Sequence, residues 1–432
     1  MFGVPIDFML FGLTLLGVAI FHHHTLEVAV SGLAAITVYK TLFSPFPTGP
    51  GLPGLTAHLS HEWVIVANLA CLLLGFALLA RHFEKSHAPL ALPRLLPDDW
   101  KGCFALLAIV FVLSSFLDNI AAALIGGAMA HSLFKRVHIG YLAAIVAASN
   151  AGGSFSVVGD TTTTMMWIDG VSPLDVLHAS VAAIVALFVS GLVAAFQQHR
   201  HSPIIKDARH QPHIDWVRLA IVIGMLAAAV AANVVVNLRF PELADRFPFI
   251  GVAVWVVILI SAPLRRPDWK LLREAGRGAV FLLSLVLAAS MMPVETLPAA
   301  SWQTTFGLGF VSAVFDNIPL TKLALVQGGY DWGVLAYAVG YGGSMIWFGS
   351  SAGVAITNLY PEARSVGAWV REGWHVAVAY VIGFFVMLTL LGWEPHEPHK
   401  LKVESWKLTV SVLSSVESCQ LQLCEGAPRH RT

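Results

Sequence analysis

The chain has 432 residues, 56% of them hydrophobic and 12% charged, with a mean hydropathy of +0.72 and a formal net charge of zero. Soluble domains draw about a quarter of their residues from the charged set, so this composition excludes a water-covered globule and reads as an integral membrane protein. Neutrality leaves no basic face for nucleic acid, and four cysteines (Cys71, Cys103, Cys419, Cys424) show no metal-ligand spacing.

A span needs roughly 20 apolar residues. Ile6–Phe21 and Leu26–Phe43 are the first two, joined by a His-rich turn. The N-terminus lacks a basic n-region and a small-residue cleavage site, so the first segment reads as an uncleaved span. Residues 42–61 are rich in Pro and Gly. Glu62–Ala80 is the third span and residues 81–101 a polar loop. Residues 102–133 are apolar except at Asp118-Asn119. As one helix they would run roughly 48 Å, too long for a core of about 30 Å. Split at the polar pair, they form a re-entrant hairpin. A span over 139–168 follows, interrupted by Gly152-Gly153-Ser154 and Gly159-Asp160, and then a span over 173–196.

Residues 197–215 form a polar linker, and the order then repeats over 216–393. Spans at 216–238, 249–262 and 278–292 precede a second hairpin (302–328) with Asp316-Asn317 at its tip. A second broken span (332–359) carries Gly342-Gly343-Ser344 and Gly349-Ser350, and a last span ends at Trp393. Residues 394–432 are a polar tail. The expected fold is therefore an all-α membrane protein, about ten transmembrane helices plus two re-entrant hairpins, built as repeats 1–196 and 216–393.

Five crossings per half invert the second repeat relative to the first. This count puts Arg81, Lys85, Arg94, Lys101, Lys135, Arg136, Arg200, Lys206, Arg209, Arg265, Arg266, Lys270, Arg273, Arg277, Arg364 and Arg371 on one side. Only Arg239 and Arg246 fall opposite, before the tail. By the positive-inside rule the first side is cytoplasmic and the N-terminus outside, as in a bacterial inner membrane.

Irregular backbone at membrane depth survives only around a wet or ligand-filled cavity, and discontinuous helices in inverted repeats mark transporter sites. Asp118, Asp160 and Asp316 are three intramembrane acids, which are usually functional. Without matching bases they favour a small cation or protons, and a transported Na⁺ would sit at these three. Each acid could instead only cap a helix. Thr161–Thr164 could back-bond to their own helix, and Ser154 and Ser344 could be turn residues. Lys322 could be a counter-ion to Asp316 or Asp160, a snorkelling side chain, or a gating charge. His22, His23 and His24 read as an interfacial loop. Trp63, Trp216, Trp332 and Trp393 fit interfacial belts.

The runs NAGGSFSVVGDTTTTMMWI, LSSFLDN, FDNIPL and GYGGSMIWFGSSAGVA resemble the ion transporter superfamily of ArsB-type, citrate/dicarboxylate and NhaD-type carriers, NhaD-type sodium/proton antiporters most of all. The resemblance covers roughly residues 100–170 and 305–360. It implies ion-site roles for Asp118, Asn119, Asp160, Thr161, Thr162, Asp316, Asn317, Ser344 and Ser350, and an elevator-like or rocking transport domain. Two departures stand out: Ile120-Ala121-Ala122-Ala123 lacks the family's hydroxyls, and Lys322 follows Asp316-Asn317-Ile318-Pro319.

The expected function is a secondary cation/proton antiporter that exchanges Na⁺ or Li⁺ for H⁺ by alternating access. The expected site is Asp118, Asn119, Gly152, Gly153, Ser154, Asp160, Thr161, Thr162, Asp316, Asn317, Gly343, Ser344 and Ser350, tuned by Lys322. The alternative is a carrier of a citrate-like carboxylate or oxyanion cradled by Lys322. No cofactor or nucleic acid is expected and no enzyme chemistry is read; the lipid bilayer is the solvent, and a homodimer is compatible with the sequence.

Overall fold

The computed structural model describes residues 5–21, 24–88, 96–205, 213–240, 243 and 246–396. The expectations for His22, His23, Arg94, Lys206, Arg209, Cys419, Cys424 and the tail from residue 397 fall outside these. The described residues are helical and form no sheet, and the chain is an integral membrane protein. Among the described residues, five helical stretches are long and apolar enough to cross a bilayer. Side chains such as Leu13, Ile223, Ile260 and Leu390 are exposed, as lipid-facing positions are.

The first three helices are α1 (Ile6–Ile20), α2 (Thr25–Leu42) and α3 (Gly51–Lys85). Helix α3 begins eleven residues before the expected span, within the Pro/Gly-rich stretch. Pro53 lies in its first turn, where backbone N–H groups lack helical partners, so the ring removes no bond. Glu62 is therefore inside α3 and not at its start.

The expected breaks are present. Helices α4 (Trp100–Ser114) and α5 (Asn119–Leu133) are separate. Asp118 caps α5 by accepting from Ile120 N at 3.2 Å. Helix α6 (Ile139–Ser154) stops at the glycines, and α7 (Thr161–Ile168) starts after Asp160. Helices α8 (Pro173–Leu177) and α9 (Ala179–His201) close this half. Helix α9 overruns the expected linker start, because Gln198 is fully buried and its side chain accepts from His138 N and donates to Arg136 O.

The second half comprises α10 (Trp216–Arg239), α11 (Phe249–Ser261) and α12 (Leu271–Ser290). Then come α13 (Trp302–Ser312), α14 (Asn317–Gln327), α15 (Trp332–Gly342), α16 (Ser351–Leu359), the short α17 (Val366–Glu372) and α18 (Trp374–Leu391). Asp316 caps α14 through Ile318 N at 3.0 Å, matching Asp118.

The two broken helices occupy the centre. Every residue of α6 from Gly140 to Ser154 and all of α15 are buried, and the two helices pack on each other. Such crowding requires small residues. A Cβ at Gly152 would run into Phe111 O of α4, and one at Gly342 into Gly309 O of α13. Around this core, α9 packs on α18, α5 on α16, α14 on α7 and α12, and α3 on α11 and α12. Trp332, expected in an interfacial belt, is buried instead. Its indole donates to His396 O at 2.7 Å.

The C-terminal end of α3, the N-terminal end of α10 and the 262–270 loop meet in one ion-pair group. Lys85 reaches Asp268 at 2.8 Å, and Arg265 reaches Asp215 at 2.7 Å. Arg265 holds the Asp215 carboxyl below the usual carboxylate range, and Lys85 does the same for Asp268.

Candidate ion-binding site

Asp160 is where the two halves meet. It stands at the N-cap position of α7, but its side chain makes no capping bond to the helix. Both of its oxygens instead accept from side chains. Oδ1 accepts from Asn119 Nδ2 at 3.2 Å; Oδ2 accepts from Asn317 Nδ2 at 3.3 Å and from Thr162 Oγ1 at 2.7 Å. Asn119 and Asn317 open the second arms of the two hairpins, so the tip of each reaches the same carboxylate. All four residues are buried. A buried charge is costly unless it is hydrogen-bonded, and three donors to one carboxylate meet that requirement.

The network continues through Asn150 of α6. Its Oδ1 accepts from Asn119 at 3.1 Å. Its Nδ2 donates to Ser344 Oγ at 2.9 Å and to Ser350 Oγ at 3.0 Å. Ser350 caps α16 through Gly353 N and occupies the place that Asp160 has before α7. The two N-cap positions differ in charge: one carries an acid, the other a hydroxyl.

Asp160, Asp118, Asn119, Asn317 and Thr161 all border a cavity of about 700 Å³. Its walls include Leu72 and Phe76 of α3 and Leu282 of α12, and Arg81, Lys85 and Glu274 stand among the lining residues at the charged end of α3 and the start of α12. Asp316 does not line it. That carboxyl borders a second, smaller pocket of about 170 Å³ and accepts from Ser351 Oγ at 3.4 Å, and Ser351 lines both spaces. The three acids therefore surround one region without sharing one pocket.

Other expected residues are placed differently. Ser154 Oγ donates to Ala151 O of its own helix and takes no part in the network. Gly152, Gly153 and Gly343 press against neighbouring backbone, with Phe111 O, Gly159 O and Gly349 O as the nearest oxygens, and allow close helix packing. Thr163 and Thr164 back-bond to Asp160 O, while Thr162 reaches the carboxylate. Lys322 is not a counter-ion to Asp316 or Asp160 and does not snorkel. It is buried and paired with Glu62 of α3 at 2.9 Å. Asn150 and Glu62 were the residues missed. An Asn inside an Ala-rich, largely apolar helix was the available signal for the first.

This arrangement suits a small monovalent cation or a proton. Asp160 supplies the charge, and Thr161 a hydroxyl at the cavity wall. Asn119 and Asn317 now present nitrogen to the carboxylate; a half-turn of either amide presents oxygen instead. Hard cations take oxygen ligands, so the same side chains can serve an empty, protonated or cation-filled site.

The chain shares 28% identity with "Sodium/proton antiporter 1" of Arabidopsis thaliana over 326 residues, 63% of this chain and 53% of the relative. It shares 26% with "Sodium/proton antiporter 2" of the same plant, over 58% of this chain and 67% of that one. With the "Na(+)/H(+) antiporter NhaD" of Vibrio parahaemolyticus it shares 23%, over 57% and 71%. The chain is a relative of the NhaD-type antiporters. It spans about half the length of the first plant relative it matches. No protein-family model matches it. This kinship agrees with the quoted sequence runs and with the helices broken where those runs fall.

Proposed function

We propose that the protein exchanges a monovalent cation, Na⁺ or Li⁺, for protons, with Asp160 as the group that holds one or the other. The observation that carries this is one buried carboxylate clasped by an asparagine from each hairpin and open to a cavity. A bound cation and a bound proton exclude one another at such a group, and that competition couples the two fluxes. Asn119, Asn150, Thr161, Thr162, Asn317, Ser344 and Ser350 complete the shell. Asp118 and Asp316 add charge nearby while giving one oxygen each to a helix cap.

Inverted repeats and alternating access belong to this proposal. Several paired contacts support them: Ser114 Oγ to Ser149 O and Ser312 Oγ to Val339 O, Gly152 against α4 and Gly342 against α13. We place the charged end of α3 in the cytoplasm of a bacterial inner membrane, and the N-terminus outside. The cavity then opens inward. A homodimer would anchor the part of each copy that stays fixed in lipid. The reading is transport and not catalysis, in keeping with the names of the relatives.

The anion-carrier alternative loses its main support, because Lys322 is engaged by Glu62 and does not line the cavity. Everted vesicles with a pH-sensitive dye separate the two. Na⁺ or Li⁺ should dissipate an imposed proton gradient and citrate should not; the opposite pattern overturns the proposal. Reporter fusions at 86–99 and 265–270 should both read cytoplasmic.

A further inference from the structure

We propose that the buried Glu62–Lys322 pair is the gate that seals the site on the face opposite the cavity mouth. The pair joins α3 to the second hairpin at 2.9 Å, with both side chains buried.

Its position follows from the helices. The cavity borders α3 from Leu69 to Lys85, and Glu62 lies beyond that stretch, away from the charged end. Seven residues of helix put it roughly 10 Å past Leu69. On α14, Lys322 lies five residues, roughly 7.5 Å, beyond Asn317, which touches Asp160. Each chain segment thus runs from the cavity, past the site, to the ion pair. His58, one turn further along α3, bonds Ser290 of α12 at 2.9 Å. On α12 the cavity borders positions 271–282, so Ser290 too lies beyond it. Asp169, just past the end of α7, adds a second negative charge near Lys322. On this face α3 and α14 each pack on α7 and on α12, and the ion pair links α3 to α14 directly. Toward the mouth, the cavity lies between α3 and α5.

A lysine at this depth is costly unless paired. A plain apolar contact would hold α14 to α3 without that cost. An ion pair differs in one respect: it can separate when water enters and re-form when water leaves. Opening the far face requires α14 to leave α3, and this pair lies on that seam. The inference rests on the exchange reading only for its transport readout.

The test uses full-length protein whose four native cysteines are replaced, carrying Leu124→Cys on the cavity wall. A membrane-impermeant thiol reagent should label this position far faster from the mouth side, which the resting state leaves open. With Glu62→Gln or Lys322→Met the rates from the two sides should become comparable, and the swap Glu62→Lys/Lys322→Glu should restore the one-sided preference. A purely structural pair would lower stability without changing sidedness. Separately, Glu62→Cys/Lys322→Cys joined by oxidation should lose cation–proton exchange and regain it on reduction. One-sided labelling in both single variants, or native exchange in the cross-linked protein, overturns the gate. Failure of the unmodified protein to exchange cations for protons would instead overturn the functional reading, and the labelling result would still decide the gate.

Discussion

Replacing Asp160 by Asn is the sharpest perturbation of the site, because it keeps the shape and removes the charge. The carboxylate accepts from Asn119, Asn317 and Thr162. An amide has one acceptor oxygen, so one of the two asparagine donors would face another donor. The larger effect is on the cation. A unit charge about 4 Å from a cation is worth about 4 kcal/mol at an effective dielectric near 20. At about 1.4 kcal/mol per decade, its loss weakens cation binding about a thousandfold. Dye dequenching in everted vesicles, titrated with Na⁺ and Li⁺, should show no saturable response at concentrations that saturate the native protein. Folding is checked by monodisperse elution in detergent. A folded Asp160→Asn whose apparent affinity lies within about tenfold of native, about 1.4 kcal/mol, would refute the assignment.

Asn150→Ala removes the bridge between Asn119 and the two serines of the second half, and leaving those partners unsatisfied costs about 1–3 kcal/mol. Apparent cation affinity should fall by roughly tenfold or more while the maximal rate is less affected; an unchanged affinity would exclude Asn150 from the site. Gly152→Ala sets a methyl group against Phe111 O; overpacking of this kind costs about 1–3 kcal/mol, and the melting temperature in detergent should drop, whereas a neutral result would mean that α4 and α6 are further apart. Asp215 and Asp268 have carboxyls held below their ordinary value of about 3.9 by Arg265 and Lys85. A depressed folded-state value stabilises above the unfolded one and is lost as pH falls through the folded one. Melting temperature should therefore decline in this acid window, and Asp268→Asn should flatten the decline; identical profiles would contradict the ion-pair assignment.

The membrane class and the breaks at Asp118-Asn119, Gly152–Asp160, Asp316-Asn317 and Gly342–Ser350 were legible because polar and glycine residues stand out in apolar sequence; the expectation of three acids in one pocket was not met, since Asp316 borders a separate space. Local signals erred where tertiary packing decides. Residues 51–61 looked like a loop because Pro and Gly are punctuation, yet Pro53 falls in a first helical turn, where it removes no bond. Gln198 looked like linker because it is polar, yet it is buried and hydrogen-bonded across two chain segments. Lys322 looked like a counter-ion to Asp316 or Asp160. Its partner is 260 positions away on α3, a pairing that no spacing rule can disclose. The same holds for Ser154 and Ser344. Their runs match, but only Ser344 faces Asn150. Similar sequence runs do not settle where each side chain points; its neighbours do.

The most direct measurement is proton release from the purified protein in weakly buffered detergent solution. Adding Na⁺ should displace about one proton per chain from the native protein and none from Asp160→Asn. Equal release from both, or a native protein that binds Na⁺ without releasing a proton, would show that cation and proton do not compete at this carboxylate.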